Sequence, residues 1–172
     1  MKKLVFIIRR ANKGDLDSIV FLSAQAAKLM HQISPAGFGK PLAEPVNIKK
    51  EKKWYHQAIK DKGKVIFVAE KNGKIIGYLM GIIEKYPDDL LDAPYLTLQY
   101  LCVDEKYRRS GVGKALMQEI EKWTSQQGLS TLELIVYNNN QPAKAFYKKL
   151  RYLPLEIRMA KKISKFRFKI KG

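Results

Sequence analysis

The stretch from Tyr95 to Tyr137 limits the possible folds more than any other part of the chain. YLTLQYLCV (95–103) reads as a strand, and YRRSGVGK (107–114) is a glycine-bearing turn. A helix is expected from about Gly111 to Gln127, stopped by Gly128 at its C′ position. TLELIVY (131–137) then reads as a second strand. Two strands joined through a helix within one sheet run parallel, with a right-handed crossover.

What precedes this unit reads as antiparallel. Lys64–Glu70 and Lys74–Glu84 are apolar runs joined by Lys71-Asn72-Gly73, and an Asn-Gly pair between strands signals a tight hairpin. Val5–Arg10 reads as an opening strand. Asp15 is the expected N-cap of a helix to about His31, with Leu16, Ile19, Val20, Ser23, Ala27 and Met30 at helical spacing. His31–Pro45, with three prolines and two glycines, is a loop, and a second helix is expected over Ile48–Lys60. After Tyr137, Asn138-Asn139-Asn140 leads into a helix to about Leu150. Leu153, Leu155, Ile157 and Met159 alternate as in a strand despite Pro154. The tail alternates as well, Phe166, Phe168 and Ile170 against Lys165, Arg167, Lys169 and Lys171.

The predicted order is β-α-α-β-β-β-α-β-α-β-β. The fold class is α/β (α+β): a mixed, mostly antiparallel sheet of six to seven strands, helices on both faces, one parallel crossover. At 172 residues with no linker or repeat, residues 1–172 are expected to form one domain.

Composition excludes several classes. No apolar run approaches the ~18–20 residues that cross a bilayer. Leu4–Ile8 is too short for a signal peptide, lacks a cleavage site and is cut off by Arg9-Arg10, so a cytoplasmic protein is expected. The lone Cys102 rules out an internal disulfide and a cysteine-based zinc site. The net charge of +17 attracts anions, whether nucleic acid, an anionic membrane or a polyphosphate ligand. From charge alone, a solvated lysine-rich surface is the more ordinary explanation. The distribution is uneven: 161–172 carries six Lys/Arg and no acid, whereas 84–92 holds Glu84, Asp88, Asp89 and Asp92 against Lys85.

Two local patterns carry chemistry. In YRRSGVGK, Gly111 and Gly113 let backbone approach a ligand, and the following helix start offers unpaired N–H groups that suit phosphate. Arg108, Arg109 and Lys114 add charge there. Taken alone, the pattern reads first as a tight turn with incidental cations. It is neither a Walker loop, since Ala115 follows Gly113-Lys114, nor a dinucleotide fingerprint, since Leu116 stands where a third glycine belongs. In NQPAKAFY (140–147), Asn140 can cap a helix whose Tyr147 lies nearly two turns on, on the same face. As an isolated pair these are a cap and a packed tyrosine.

Together, the two patterns resemble the GNAT superfamily of N-acetyltransferases. Arg108-x-x-Gly111-x-Gly113 is similar to the family's pyrophosphate motif, and Leu101-Cys102-Val103-Asp104 to the strand end before it. Asn140, Ala143 and Tyr147 match its Asn-x-x-Ala-x-x-x-Tyr, and Ile8-Arg9-Arg10-Ala11 with Asp15-Leu16 resembles its usual opening. The resemblance is strongest over 95–160 and weakest over 31–60.

The resemblance implies acetyl transfer from acetyl-coenzyme A (acetyl-CoA) directly to an amine of a small molecule, peptide or protein, with no metal. It implies that N–H groups of Arg109, Ser110, Gly111, Val112, Gly113 and Lys114, with Arg108, hold the pyrophosphate. Backbone of Leu101, Cys102 and Val103 would pair with the pantetheine arm and polarise the acetyl carbonyl. Asn140 would bond the arm, and Tyr147 would protonate the leaving thiolate. Family members often dimerise, so a homodimer is one assembly it allows.

The chain departs from the family twice. Arg151-Tyr152 stands where the family has Gly and an aromatic after the last helix, and a left-handed Arg costs roughly 1 kcal/mol. Some relatives place a general base at positions matching Thr97 or Gln99, and neither residue here is one. Glu70, Glu84 or a water chain remain to take the amine's proton. Cys102 is expected as a packed core thiol. The competing reading is a basic RNA- or ribosome-binding module on this fold without turnover, using the tail's cations and phenylalanines. Intact Asn140 and Tyr147 favour the enzyme. No partner membrane is implied.

Overall fold

The computed structural model describes residues 4–33, 47–85 and 94–161. Of the loop expected at His31–Pro45, residues 31–33 are helical instead and the rest lies outside the described residues, as do most of the acidic segment and the tail beyond 161.

Five strands form one sheet in the order β1-β2-β3-β4-β5: β1 Ile7–Arg10, β2 Lys64–Lys71, β3 Lys74–Glu84, β4 Tyr95–Val103 and β5 Leu132–Leu134. The first four pair antiparallel, and β4 with β5 is parallel, as the β-α-β reading required. Helices α1 (Leu16–Ile33), α2 (Ile48–Lys60), α3 (Val112–Gln126) and α4 (Gln141–Lys149) complete the fold. Asn72 (φ 49°) and Gly73 (φ 74°) supply the positive φ values of the predicted hairpin turn.

Alternation along β2 builds two cores. Val65, Phe67 and Ala69 face Leu116, Met117, Ile120 and Trp123 of α3, while Ile66 and Val68 face Ile19, Leu22, Tyr55 and Ala58 of α1 and α2. Helix α3 approaches β3 closely at two glycines. A Cβ on Gly77 would lie 3.0 Å from the Cys102 carbonyl oxygen, and one on Gly81 3.1 Å from the Ile120 and Leu96 methyls.

Several expectations need correction. The strand expected at Thr131–Tyr137 is paired only over Leu132–Leu134. No strand forms at 153–159: Leu153, Leu155, Ile157 and Met159 are exposed. Pro154 removes a ladder donor, and three-residue β5 presents little edge to pair with. The sheet therefore has five strands among the described residues, not six or seven. Helix α4 does end in a left-handed Arg151 (φ 68°), held by the Tyr152 N–H donating to the Tyr147 carbonyl at 3.0 Å.

Asp15 is not the cap it was expected to be. Asn12 caps a 3-10 turn at Lys13–Asp15 that leads into α1, its Oδ1 accepting from Gly14 N at 2.7 Å. Asp15 is instead buried, accepting from both Arg9 guanidinium Nη atoms (2.7 and 2.8 Å) and from Asn12 N (2.8 Å). Arg9 also donates through Nε to Glu70 at 2.7 Å, tying β1, β2 and α1 together. Burial raises the Asp15 pKa, but the Arg9 and Asn12 bonds outweigh it, and the carboxyl sits below its ordinary value. A depressed carboxylate contributes stability that is complete above the unfolded pKa and is lost as pH falls toward the folded one. Asp15→Asn is expected to cost about 2 kcal/mol at pH 7 and to flatten the loss of stability below pH ~4. Denaturant unfolding from pH 3 to 7 checks this. Equal slopes in both proteins would show that Asp15 is not a native-state charge partner.

Candidate active site

The site is made where two parallel strands part. Met80 pairs with Tyr100 but Gly81 with Leu98, so Gln99 is an extra, bulged residue on β4. A bulge bends its strand and increases the local twist. Strand β4 pairs with β5 only at Leu96–Leu98 and turns away beyond the bulge. Residues 99–102 and 135–137 then line opposite walls of a cleft of about 470 Å³.

Helix α4 contributes to the cleft through Asn140, Ala143 and Tyr147, and α1 through Ser23, Ala26, Ala27 and Met30. Asn140 caps α4 as expected, its Oδ1 accepting from Ala143 N at 3.2 Å, so one group both starts the helix and faces the cleft. Tyr147 stacks edge-on against Phe146 and Tyr152, at 5.2 and 5.8 Å between centroids. Burial pushes its hydroxyl up to about 12, with the nearby Cys102 a smaller cause. The Tyr147 hydroxyl therefore keeps its proton at neutral pH.

The glycine loop adjoins one end of this cleft. Arg108 Nε donates to the Val103 carbonyl at 3.3 Å, and a Cβ on Gly113 would lie 3.5 Å from the Phe146 ring and 3.8 Å from Val103. Arg109 (φ 61°) and Gly111 (φ 93°) are both left-handed. Gly111 is the N-cap of α3 and offers no side-chain cap, and the first turn holds no acid. Backbone N–H groups at this helix start are thus left for an outside acceptor, beside exposed Arg108, Arg109 and Lys114. These features fit a pyrophosphate. The Val112 side chain is fully buried in the core, so only its backbone can serve.

Of the residues weighed from sequence, Leu101, Cys102, Asn140 and Tyr147 line the cleft itself. Arg108, Arg109, Ser110, Gly111, Val112, Gly113 and Lys114 form the loop and helix start at its end, next to Val103. Cys102 packs with the α1 and α2 core, and burial raises its thiol to about 11, which suits a packed thiol. The two carboxylates considered as bases are engaged elsewhere. Glu70 is bonded to Arg9, and Glu84 accepts from Thr97 Oγ1 at 2.5 Å. Neither lines the cleft. Glu51, Tyr100 and Tyr137, which no sequence motif marked, do. The signal for Glu51 was its spacing: it precedes Tyr55 and Ala58 by four and seven residues, on α2's buried face.

Among the described residues no His, Cys, Asp or Glu group could hold a metal, and no helix is long and apolar enough to cross a membrane. A relative from Sulfurisphaera tokodaii, an N-alpha-acetyltransferase, is 31% identical over 109 residues, which are 60% of this chain and 65% of that protein. The peptidyl-lysine N-acetyltransferase YiaC of Escherichia coli is 27% identical over 83% of this chain and 80% of its own length. A variant of the BH1408 protein of Bacillus halodurans superposes with a TM-score of 0.78 at 21% identity, covering 92% of this chain and 99% of that one. At that identity the likeness shows the fold. The model of the "Acetyltransferase (GNAT) family" matches residues 28–152, a span containing the splayed strands, the glycine loop and the Asn140–Tyr147 helix, and the chain belongs to that family.

Proposed function

We propose that the protein transfers the acetyl group of acetyl-CoA to the α-amino group of a peptide or protein, without a metal. The parting of β4 and β5 at the Gln99 bulge carries this reading. An extended amide-bearing arm fits between the walls at 99–102 and 135–137, as an added strand fits a sheet edge. The loop at 108–114 takes the pyrophosphate at one end of that channel. Asn140 bonds the arm, and backbone of Leu101 to Val103 polarises the acetyl carbonyl. The neutral amine attacks the carbonyl carbon, the C–S bond breaks, Tyr147 donates its proton to the departing thiolate, and the proton shed by the attacking nitrogen passes to water, from which Tyr147 is reprotonated.

The α-amino preference follows from proton affinity. An attacking amine must be neutral. At pH 7 this costs a lysine side chain about 4–5 kcal/mol, against about 1 for an α-amino group. The S. tokodaii relative's name agrees with the cheaper acceptor.

Three experiments test the proposal. Coenzyme A release should be stimulated by short peptides with free N-termini and not by their N-blocked, lysine-containing counterparts. Stimulation by the blocked peptides alone would move the acceptor to lysine. A side chain at position 111 meets no neighbour but must adopt the left-handed φ of 93°, so an Asp there strains the loop and sets a negative charge beside the anion site while leaving the core untouched. Gly111→Asp should weaken acetyl-CoA binding by more than ten-fold in calorimetry, with Tm changed by only a few degrees. Unaltered affinity would remove the loop from the site. Tyr147→Phe should lower kcat by roughly 10²-fold or more with little change in cofactor affinity. Full kcat where chemistry limits turnover would assign leaving-group protonation to water.

A further inference from the structure

We infer that Glu51 is the acceptor-recognition carboxylate: it projects from the first turn of α2 into the cleft and pairs with the substrate's ammonium group. The inference deepens the proposed N-acetylation and rests on it.

Among the described residues lining the cleft, Glu51 is the one that carries a charge, in a protein of net charge +17. The remaining lining is apolar or neutral: aliphatic side chains with Ser23, Gln99, Asn140, Cys102 and three tyrosines. Its position follows from helix geometry. Tyr55 and Ala58 are buried against the sheet, and Glu51, four and seven residues earlier, continues the same face one turn toward the helix start. There α2 meets β4 beside the bulge through aromatic rings. Trp54 and Tyr55 meet Tyr100 edge-on or tilted, at 6.3 and 6.5 Å between centroids. Glu51 and Tyr100 thus stand on facing elements. After burial, the larger cause, the Glu51 charge contributes to holding the Tyr100 hydroxyl above its ordinary value.

Among the described residues Glu51 forms no ion pair, whereas Asp15, Asp17, Asp61 and Glu70 each hold a cation. A half-buried carboxylate left without a cation beside a reaction channel is suited to one that arrives with the substrate. The cleft's field also sorts acceptors: a cation is repelled by the lysine-rich surface, and among the described lining residues Glu51 is the point of attraction. An acid in the first turn also favours α2 through the helix dipole. That purely structural role makes a different prediction.

The test compares wild type, Glu51→Gln and Glu51→Asp at saturating acetyl-CoA and pH 7. The acceptors are a free-N-terminus peptide, which is mostly an ammonium ion, and methoxyamine, which is neutral. Glu51→Gln should raise KM for the peptide about ten-fold. KM for methoxyamine and the affinity for acetyl-CoA should stay unchanged, and Glu51→Asp should recover part of the loss. An unchanged peptide KM, or equal losses for both acceptors with a lowered Tm, would reduce Glu51 to a helix-stabilising residue. If wild type binds the peptide with coenzyme A present but does not acetylate it, the proposed acceptor fails alone. Calorimetric peptide affinity of Glu51→Gln then decides the inference by the same ten-fold criterion. A peptide that neither binds nor reacts overturns both.

Discussion

The site exists because β4 cannot follow β5. One bulged residue, Gln99, gives β4 a local twist that its three-residue parallel partner does not share, and the strands separate after Leu98. The separation would be unfavourable in an ordinary sheet, since backbone amides on the facing edges lose their ladder partners. Here it leaves them on the walls of an open cleft, where water or an extended ligand can satisfy them. Everything else at the site is arranged around that gap: α3 starts at its end, α4 lies along one wall, and α1 and α2 cover the other.

The two-sided core holds the gap open. On one face, Gly77 and Gly81 admit α3 so closely that its start sits beside Val103. On the other, the Tyr55 and Tyr78 hydroxyls share a 2.8 Å hydrogen bond and Ser23 Oγ accepts from Tyr55 at 3.2 Å, joining α1, α2 and β3 beneath the cleft. Cys102 and Met80 pack in the same cluster. Moving α2 away would break this chain and take the Tyr55 partner from the fully buried Tyr78 hydroxyl. The position of Glu51 is therefore set by a hydrogen-bonded core: its spacing from Tyr55 and Ala58 gives the helix face in sequence, and the Tyr55 bonds fix where that face sits.

Local patterns were legible and long-range ones less so. The hairpin at Asn72-Gly73, the span of α2 and the caps at Asn140 and Gly128 depend on neighbours within a few residues, and each stands where the sequence put it. The end of β5 at Leu134 depends on a bulge in another strand, and alternation in TLELIVY says nothing of a partner's bend. Alternation misled in the same way at 153–159, where the pattern of a strand is present without an edge to receive it. Asp15 had the chemistry of a cap, but Arg9 on β1 claimed it. Glu70 and Glu84 had the chemistry of bases, but Arg9 and Thr97 engage them.

The last step of the transfer depends on how the cleft treats a thiol. In water a tyrosine near 10 would give its proton to a thiolate near 8.5 at a cost of about 2 kcal/mol. Burial raises Tyr147 to about 12, which alone would make the donation harder. The same surroundings act on sulfur, however, and Cys102, lining the same cleft, reports the effect: its thiol is pushed from 9.0 to about 11. A thiolate leaving into this channel meets the same loss of solvation and gains proton affinity in the same direction. Donor and acceptor rise by about the same amount, so the gap between them, and its cost of about 2 kcal/mol, stays where water sets it. Burial that makes Tyr147 a weaker acid thus makes a thiolate beside it a correspondingly stronger base, and under the proposed mechanism the transfer costs no more than it would in water.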